Sequence, residues 1–324
     1  MTPRLDRIEA ESGAVDPSAI DWIAVDWGTS ALRVWAMQGA RVLAEARSDQ
    51  GMGRLTPEQF EPALLDLIGD WLRPGRTCPV LAAGMVGARQ GWVEAPYLSV
   101  PCPPVAAGDA AGGAPGWAAG DTAGAAITVP TRDPRIAMRI IPGLSQADPA
   151  DVMRGEEVQI AGVLARWPGF SGTVCLPGTH TKWATIAKGQ VTQFRTLMTG
   201  EMFELLAARS VLRLSLAPGG TDMGAFRDGL RLAQGADVAL QLFSLRAESL
   251  LGSPDPVALR ARLSGLLIGQ ELAATRPLWQ GRDIVIVASA GLEPLYLAAL
   301  ESLGATARRL SATEATLAGL CLAR

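Results

Sequence analysis

One short pattern occurs twice in the chain, Asp26-Trp27-Gly28-Thr29-Ser30-Ala31-Leu32-Arg33 and Pro177-Gly178-Thr179-His180-Thr181-Lys182-Trp183-Ala184. In each copy an apolar run (Trp22 to Val25; Thr173 to Leu176) precedes the Gly-Thr pair, and an alternating pattern follows it. Each copy therefore predicts a tight turn between two strands. Such a turn can hold an oxyanion, because glycine lets backbone N–H groups approach closely and the hydroxyls add donors. Asp26 can in addition hold a magnesium ion through water. A turn repeated at this distance predicts two related halves closing on one nucleotide.

Length and composition agree with two halves. A chain of 324 residues exceeds one typical core, and two domains, 1–168 and 169–324, are the expectation. Hydrophobic residues make up 48% and aromatics 5%, which suits an alanine- and leucine-rich α/β protein and excludes disorder. The net charge of −3 without a lysine-arginine cluster argues against a nucleic-acid surface. Cys78, Cys102, Cys175 and Cys321 show no Cys-x-x-Cys spacing, so reduced, mostly buried thiols are expected rather than a zinc ribbon or disulfide framework. The N-terminus is mixed in charge and no apolar stretch approaches the roughly 20 residues of a membrane span. A cytoplasmic enzyme is expected.

After a polar leader ending near Ser18, the pattern reads as strands at 22–27, 31–37 and 41–47, a helix at 57–72 and a strand at 79–83. The Gly-, Ala- and Pro-dense stretch from Pro101 to Gly120 reads as an irregular connection. A strand at 135–141 and a helix from Asp151 to Arg166 complete the half. The second half reads as strands at 173–176, 181–187 and 190–197, with Lys188-Gly189 as a hairpin turn. Helices follow at 200–214, 222–234, 237–251 and 257–274, then a strand at 283–288, a helix at 292–302, a strand at 305–310 and a helix at 313–322. Both halves thus read β-β-β-α-β-α-β-α. This duplicated order resembles the actin, sugar-kinase and Hsp70 superfamily, which implies a two-lobed actin-like (RNase H-like) ATPase fold of mixed sheets flanked by helices.

In that arrangement Gly28, Thr29 and Ser30 face Gly178, Thr179, His180, Thr181 and Lys182 across a cleft and hold the phosphates of ATP. Ser289-Ala290-Gly291, after a β-branched strand and before a helix, lets adenosine lie against backbone. Phosphoryl transfer to a hydroxyl also needs a proton acceptor. Asp151, Glu156 and Glu157 in Asp151-Val152-Met153-Arg154-Gly155-Glu156-Glu157 are the candidates, and the Gly-Glu-Glu-x-x-Ile portion resembles a carboxylate-bearing segment of exopolyphosphatases. The two adjacent glutamates cannot both face one way on a helix. The loop from Gly84 to Tyr97 has the inventory for a polyhydroxylated acid: Arg89 for its carboxylate, Gln90 and Glu94 for hydroxyls, Trp92 and Tyr97 as aromatic faces.

The segments VDWGTSALRVW, GMVGARQGWVEAPYL, IIPGLSQ, DVMRGEEVQIAG, LPGTHTKW and FRTLMTGEMFELL together resemble the 2-dehydro-3-deoxygalactonokinase family. The resemblance implies ATP- and Mg2+-dependent phosphorylation of 2-dehydro-3-deoxy-D-galactonate at its 6-hydroxyl. Many sugar kinases place a proton-accepting Asp beside the second phosphate loop, where this chain has Pro177. That departure leaves the base open among the three acids. Rival expectations are a kinase for another 2-keto-3-deoxy sugar acid, a phosphohydrolase of the exopolyphosphatase kind, and a nucleotide-binding assembly protein of actin type. Apolar helices after Asp222 offer a surface on which two copies can pair as a homodimer.

Overall fold

A computed structural model describes residues 15–106, 125–235 and 237–324. Most of the predicted leader, and the connection beyond residue 106, lie outside the described residues. The first part of the chain contains β1 (Trp22–Trp27), β2 (Leu32–Gln38), β3 (Arg41–Ser48), α1 (Phe60–Ile68), β4 (Cys78–Gly84), β5 (Tyr97–Ser99), β6 (Ile127–Val129), β7 (Ile136–Ile140), β8 (Gly143–Ala147), β9 (Ala150–Met153) and α2 (Glu156–Arg166). Then follow β10 (Gly172–Leu176), β11 (Thr181–Ala187), β12 (Gln190–Leu197), α3 (Thr199–Arg209), α4 (Met223–Gly235), α5 (Val238–Leu251), α6 (Pro256–Ala274), α7 (Arg276–Trp279), β13 (Ile284–Ala288), α8 (Glu293–Ser302), β14 (Arg308–Ser311) and α9 (Ala312–Ala323).

The duplication read from the turns is present in the sheets. One sheet runs β3-β2-β1-β4-β7-β6 and the other β12-β11-β10-β13-β14. In both, the first strand pairs antiparallel with the second and parallel with the strand that follows the helical crossover. The buried strands read as continuous apolar runs, Ile284–Ala288 being buried at every position. At the hairpin between β11 and β12, Lys188 (φ 52°) and Gly189 (φ 74°) adopt the left-handed conformation that matches strand twist.

Two compact units result. One comprises the chain up to Phe170 with Lys188–Thr192 and Ala312–Arg324; the other comprises Ser171–Ala187 and Gln193–Ser311. The expected division at 168/169 therefore differs at the end of the chain, because α9 packs with the first unit. It does so on α2, where glycine permits close approach: a Cβ on Gly162 would lie 2.0 Å from the Ala315 carbonyl oxygen, and one on Gly319 1.8 Å from that of Val158. Leu317 and Leu320 of α9 join Val158, Ala161, Trp22 and Trp35 in one buried cluster.

A second correction concerns the segment before α2. Asp151 was expected to open that helix, but Ala150–Met153 is a strand paired antiparallel with β8, Asp151 standing opposite Gln146. The helix starts only at Glu156, because Gly155 at φ 108° breaks the backbone between strand and helix. β5, β8 and β9 form a small third sheet that the apolar pattern had not disclosed. Among the described residues no helix is long and apolar enough to cross a membrane. Cys78 and Cys175 are buried, and all four cysteines are free thiols.

Candidate active site

In the first unit three backbone segments meet at the carboxyl ends of β1 and β4. Gly84 (φ 94°) ends β4, and a Cβ there would lie 2.7 Å from the Trp27 carbonyl oxygen and 3.6 Å from Oδ1 of Asp26. A Cβ on Gly155 would lie 3.3 Å from Cα of Gly84. Glycine at both positions brings the start of α2 onto the strand ends beside Asp26, the usual place for a ligand in an open α/β sheet. Oδ2 of Asp26 is paired with Arg33, its cross-strand partner, whose Nη1 also donates to Oγ1 of Thr313 at 3.0 Å. The turn between β1 and β2 closes through the Gly28 N–H donating to the Ala31 carbonyl at 2.9 Å. Its carbonyls at Gly28 and Thr29 accept from the N–H groups of Met52 and Gly53, both at 2.9 Å. Thr29 and Ser30 are exposed at its tip. The Gly51-Met52-Gly53 support was not singled out in the sequence, although its paired glycines mark it.

The two adjacent glutamates separate as helical geometry requires. Glu157 is fully buried, its carboxylate accepting from the Gly155 N–H at 2.8 and 2.7 Å. Burial, and then the charge of Glu156, push its carboxyl up to about 8. Glu156 is half-buried and accepts from the Arg154 N–H at 3.0 Å. Asp151 lies on β9, its carboxylate accepting from the Val152 N–H at 2.8 Å.

The loop after β4 is divided. Arg89 and Gln90 are exposed, and Arg89 is paired with Glu94 at 3.6 Å with its side chain 82% accessible. Trp92, expected to face a sugar, instead packs inward. Its ring stacks on Phe60 at 6.3 Å and meets the edge of Trp27 at 6.4 Å, completing the core of the first sheet. Tyr97 lies on β5 against Arg154, whose Cζ is 4.3 Å from the ring centroid.

In the second unit the Gly178–His180 turn is braced by the start of α3, where the Glu201 N–H donates to the Thr179 carbonyl at 2.9 Å. His180 Nε2 meets Glu201 Oε2 at 2.6 Å, so the imidazole is committed to a carboxylate. Two residues expected to offer donors to phosphate point elsewhere. Thr181 is buried and bonded to the Tyr296 hydroxyl at 3.0 Å. Lys182 is buried, with Nζ donating to Oγ1 of Thr196 at 2.8 Å. They are adjacent on β11 and so point to opposite faces, and both faces of that strand are covered, its positions from Thr181 to Ile186 all being buried.

Behind the turn lies a buried carboxyl that the sequence reading missed. Glu271 of α6 accepts from Trp183 Nε1 at 2.9 Å, from the Tyr296 hydroxyl at 3.0 Å and from Oγ1 of Thr199. Burial raises its pKa, and the donors offset part of the rise. A lone acid in the apolar run Leu266-Leu267-Ile268-Gly269-Gln270-Glu271-Leu272 was the available signal. In front of Thr199 and Tyr296 opens a cavity of about 260 Å³, walled by Gly178, Gly200, Phe203, Gly220, Arg260 and Leu295. The Arg260 guanidinium lies over the Phe203 ring at 4.7 Å. Ser289, Ala290 and Gly291, expected to receive adenosine, are exposed just ahead of α8, and the wall uses Leu292 and Leu295 beyond them. Gly219, Gly220 and Thr221, which the sequence reading passed over, line it as well.

Two sheets of one topology, each ending its first hairpin in a Gly-Thr turn, define the class: the duplicated actin-like ATPase fold that sugar kinases use. Within that class the chain belongs to the 2-keto-3-deoxy-galactonokinase family, whose model matches residues 26–323. It is 39% identical over 311 residues to the probable 2-dehydro-3-deoxygalactonokinase of Rhizobium meliloti (strain 1021), covering 93% of this chain and 96% of that one. It is 36% identical over 303 residues to the 2-dehydro-3-deoxygalactonokinase of Escherichia coli (strain K12), covering 92% and 96%. A crystal structure from Sinorhizobium meliloti, described as a candidate 2-dehydro-3-deoxygalactonokinase, superposes with a TM-score of 0.81 at 38% identity, over 93% of this chain and 95% of that one.

Proposed function

We propose that this chain transfers the terminal phosphoryl group of ATP to the 6-hydroxyl of 2-dehydro-3-deoxy-D-galactonate, giving ADP and 2-dehydro-3-deoxy-6-phosphogalactonate. Membership of the family over nearly the whole chain is the observation that carries this reading. The turns at Gly28–Ser30 and Gly178–His180 serve the phosphates through backbone N–H groups and hydroxyls. The cavity beside Gly220 and Phe203 takes the adenosine, with Ser289–Gly291 at its margin.

Glu156 is the carboxylate we assign to the acceptor hydroxyl. Glu157, the neighbouring alternative, is fully buried; Asp151, the third, stands on another sheet. A general base need only reach the proton it removes, and Glu156 directly follows Gly155, whose backbone lies against Gly84 at the strand ends. Asp26 fits a magnesium ion that is also held by phosphates and water: Oδ2 is taken by Arg33, while Oδ1 faces the Gly84 backbone. The ion would neutralise charge on the phosphates. Among the described residues no cluster of three metal-ligating side chains exists.

Arg89, Gln90, Glu94 and Tyr97 border the sugar acid in this reading. The free thiols agree with a reducing cytoplasm. A homodimer would cover Leu240, Phe243, Leu250 and Leu251 of α5, which are 63–90% exposed, and light scattering of the purified chain checks it. The activity is tested by coupled ADP release across a panel of 2-keto-3-deoxy sugar acids. ADP should form only with a sugar acid present, fastest with the galactonate-derived one. ADP formed without an acceptor points to hydrolysis instead.

A further inference from the structure

Arg154 was singled out neither by the duplicated turns nor by the sugar-acid loop. It occupies the single link between β9 and Gly155, and its side chain is 92% buried, with a relative accessibility of 8%. Nη2 donates to the Ala95 carbonyl at 2.7 Å. The Tyr97 ring covers one face of the guanidinium. On another side a Cβ at Gly87 would lie 2.9 Å from Nη1, and a Cβ at Gly143 would lie 2.8 Å from two carbons of the Tyr97 ring. Glycine at 87 and 143 is therefore what leaves room for the stacked pair. Nε and Nη1 are both buried and, among the described residues, have no hydrogen-bond partner.

A buried guanidinium with donors unmet is costly, and a ring face compensates only part of that cost. Two acids follow it closely in sequence, and the Arg154 charge acts on Glu157 against the rise that burial causes. Glu157, with its carboxyl raised to about 8, is largely protonated at neutral pH. Glu156 meets the Arg154 main-chain N–H. Unmet donors on a planar cation match the geometry of a carboxylate. Arg89, the guanidinium expected from sequence to hold the acid, is exposed and already faces Glu94, an arrangement that contributes little to binding.

We propose that Arg154 is the residue that recognises the carboxylate of the 2-keto acid, its in-plane Nε–H and Nη1–H groups donating to the carboxylate oxygens when the Gly87 end of the loop draws back from the guanidinium edge. The inference rests on the kinase reading above and assigns which end of the substrate enters the Gly87–Tyr97 loop. Arg154 stands two residues before Glu156, so the acid end and the reacting hydroxyl are held by one short stretch of backbone.

The test compares the sugar acid with its uncharged carboxamide as acceptors for wild type, Arg154→Met, Arg154→Lys and Arg89→Ala. Wild type should prefer the acid. Arg154→Met should lose roughly 10- to 100-fold in kcat/KM for the acid, with KM for ATP and turnover of the amide unchanged, so that discrimination collapses. Arg154→Lys should fall between, and Arg89→Ala should discriminate as wild type does. Retained discrimination in Arg154→Met, or its collapse in Arg89→Ala, overturns the assignment. If Arg154→Met does not fold, a wild type that accepts acid and amide equally overturns it as well. A wild type that releases no ADP with any sugar acid sinks the kinase reading itself, a result distinguishable from an active enzyme indifferent to position 154.

Discussion

The two Gly-Thr turns stand on the same strand scaffold yet carry opposite chemistry. In the first, Asp26 faces Arg33 across the strand pair; in the second, Leu176 faces Lys182. The first turn thus keeps a carboxylate and a guanidinium at the strand end. The second buries its cation against Thr196 and leaves backbone donors at the tip. The two buried glutamates differ in the same way. Glu271 is held by side-chain donors, among them Trp183, Thr199 and Tyr296, whereas Glu157 is held by backbone N–H groups, that of Gly155 and its own. The frame is shared while the ionisable groups differ: the first unit keeps Asp26 and Arg33 at its strand end, and the second has His180 paired with Glu201 at its turn.

That contrast can be broken most sharply at the paired acids. Glu156→Gln should lower kcat by roughly 10²–10⁴-fold, the range for loss of a general base. Glu157→Gln should leave kcat within about tenfold of wild type; steady-state ADP release measures both, and equal turnover by the two variants would remove the assignment. Asp26→Asn should cost about 10²-fold in kcat, and a magnesium titration should show a raised half-saturating concentration. The corresponding change in the second turn, Lys182→Met, should affect the urea midpoint more than kcat. Glu271→Gln should destabilise by about 1–3 kcal/mol, read from urea unfolding, because an amide places one N–H₂ group among donors that need acceptors.

A further effect concerns pH. Glu157 titrates near 8 in the folded chain against 4.5 for the ordinary side chain. Between those values the folded protein keeps a proton that the unfolded chain has released. Its contribution to stability is therefore complete below about pH 4.5, declines as pH rises through the window, and levels off above 8. Glu157→Gln should flatten that part of a stability profile measured by urea melts at successive pH values. An unchanged slope would place the titrating group elsewhere.

Strands flanking the turns were legible because alternation is a local signal, and β1 and β11 lie where the pattern put them. The third sheet was not. Val152 suits the apolar stripe of a helix opening at Asp151, so β9 was absorbed into α2. Trp92 illustrates a second limit, since an aromatic in a polar loop reads equally as a ligand face or as core. The cavity was hidden because its walls come from five stretches spread from Gly178 to Tyr296. Arg154 was hidden for a related reason: what distinguishes it is the absence of acceptors around it, which only packing reveals.

The return of α9 to α2 has a consequence for biosynthesis. The first unit is completed by residues 312–323, which follow the whole of the second unit along the chain, so its apolar seat for Leu317 and Leu320 stays uncovered until that segment has been made. Synthesis from N- to C-terminus therefore cannot finish the first unit first. A nascent chain stalled before residue 312 should expose that seat to chaperones and proteases, however complete the rest of its sheet has become.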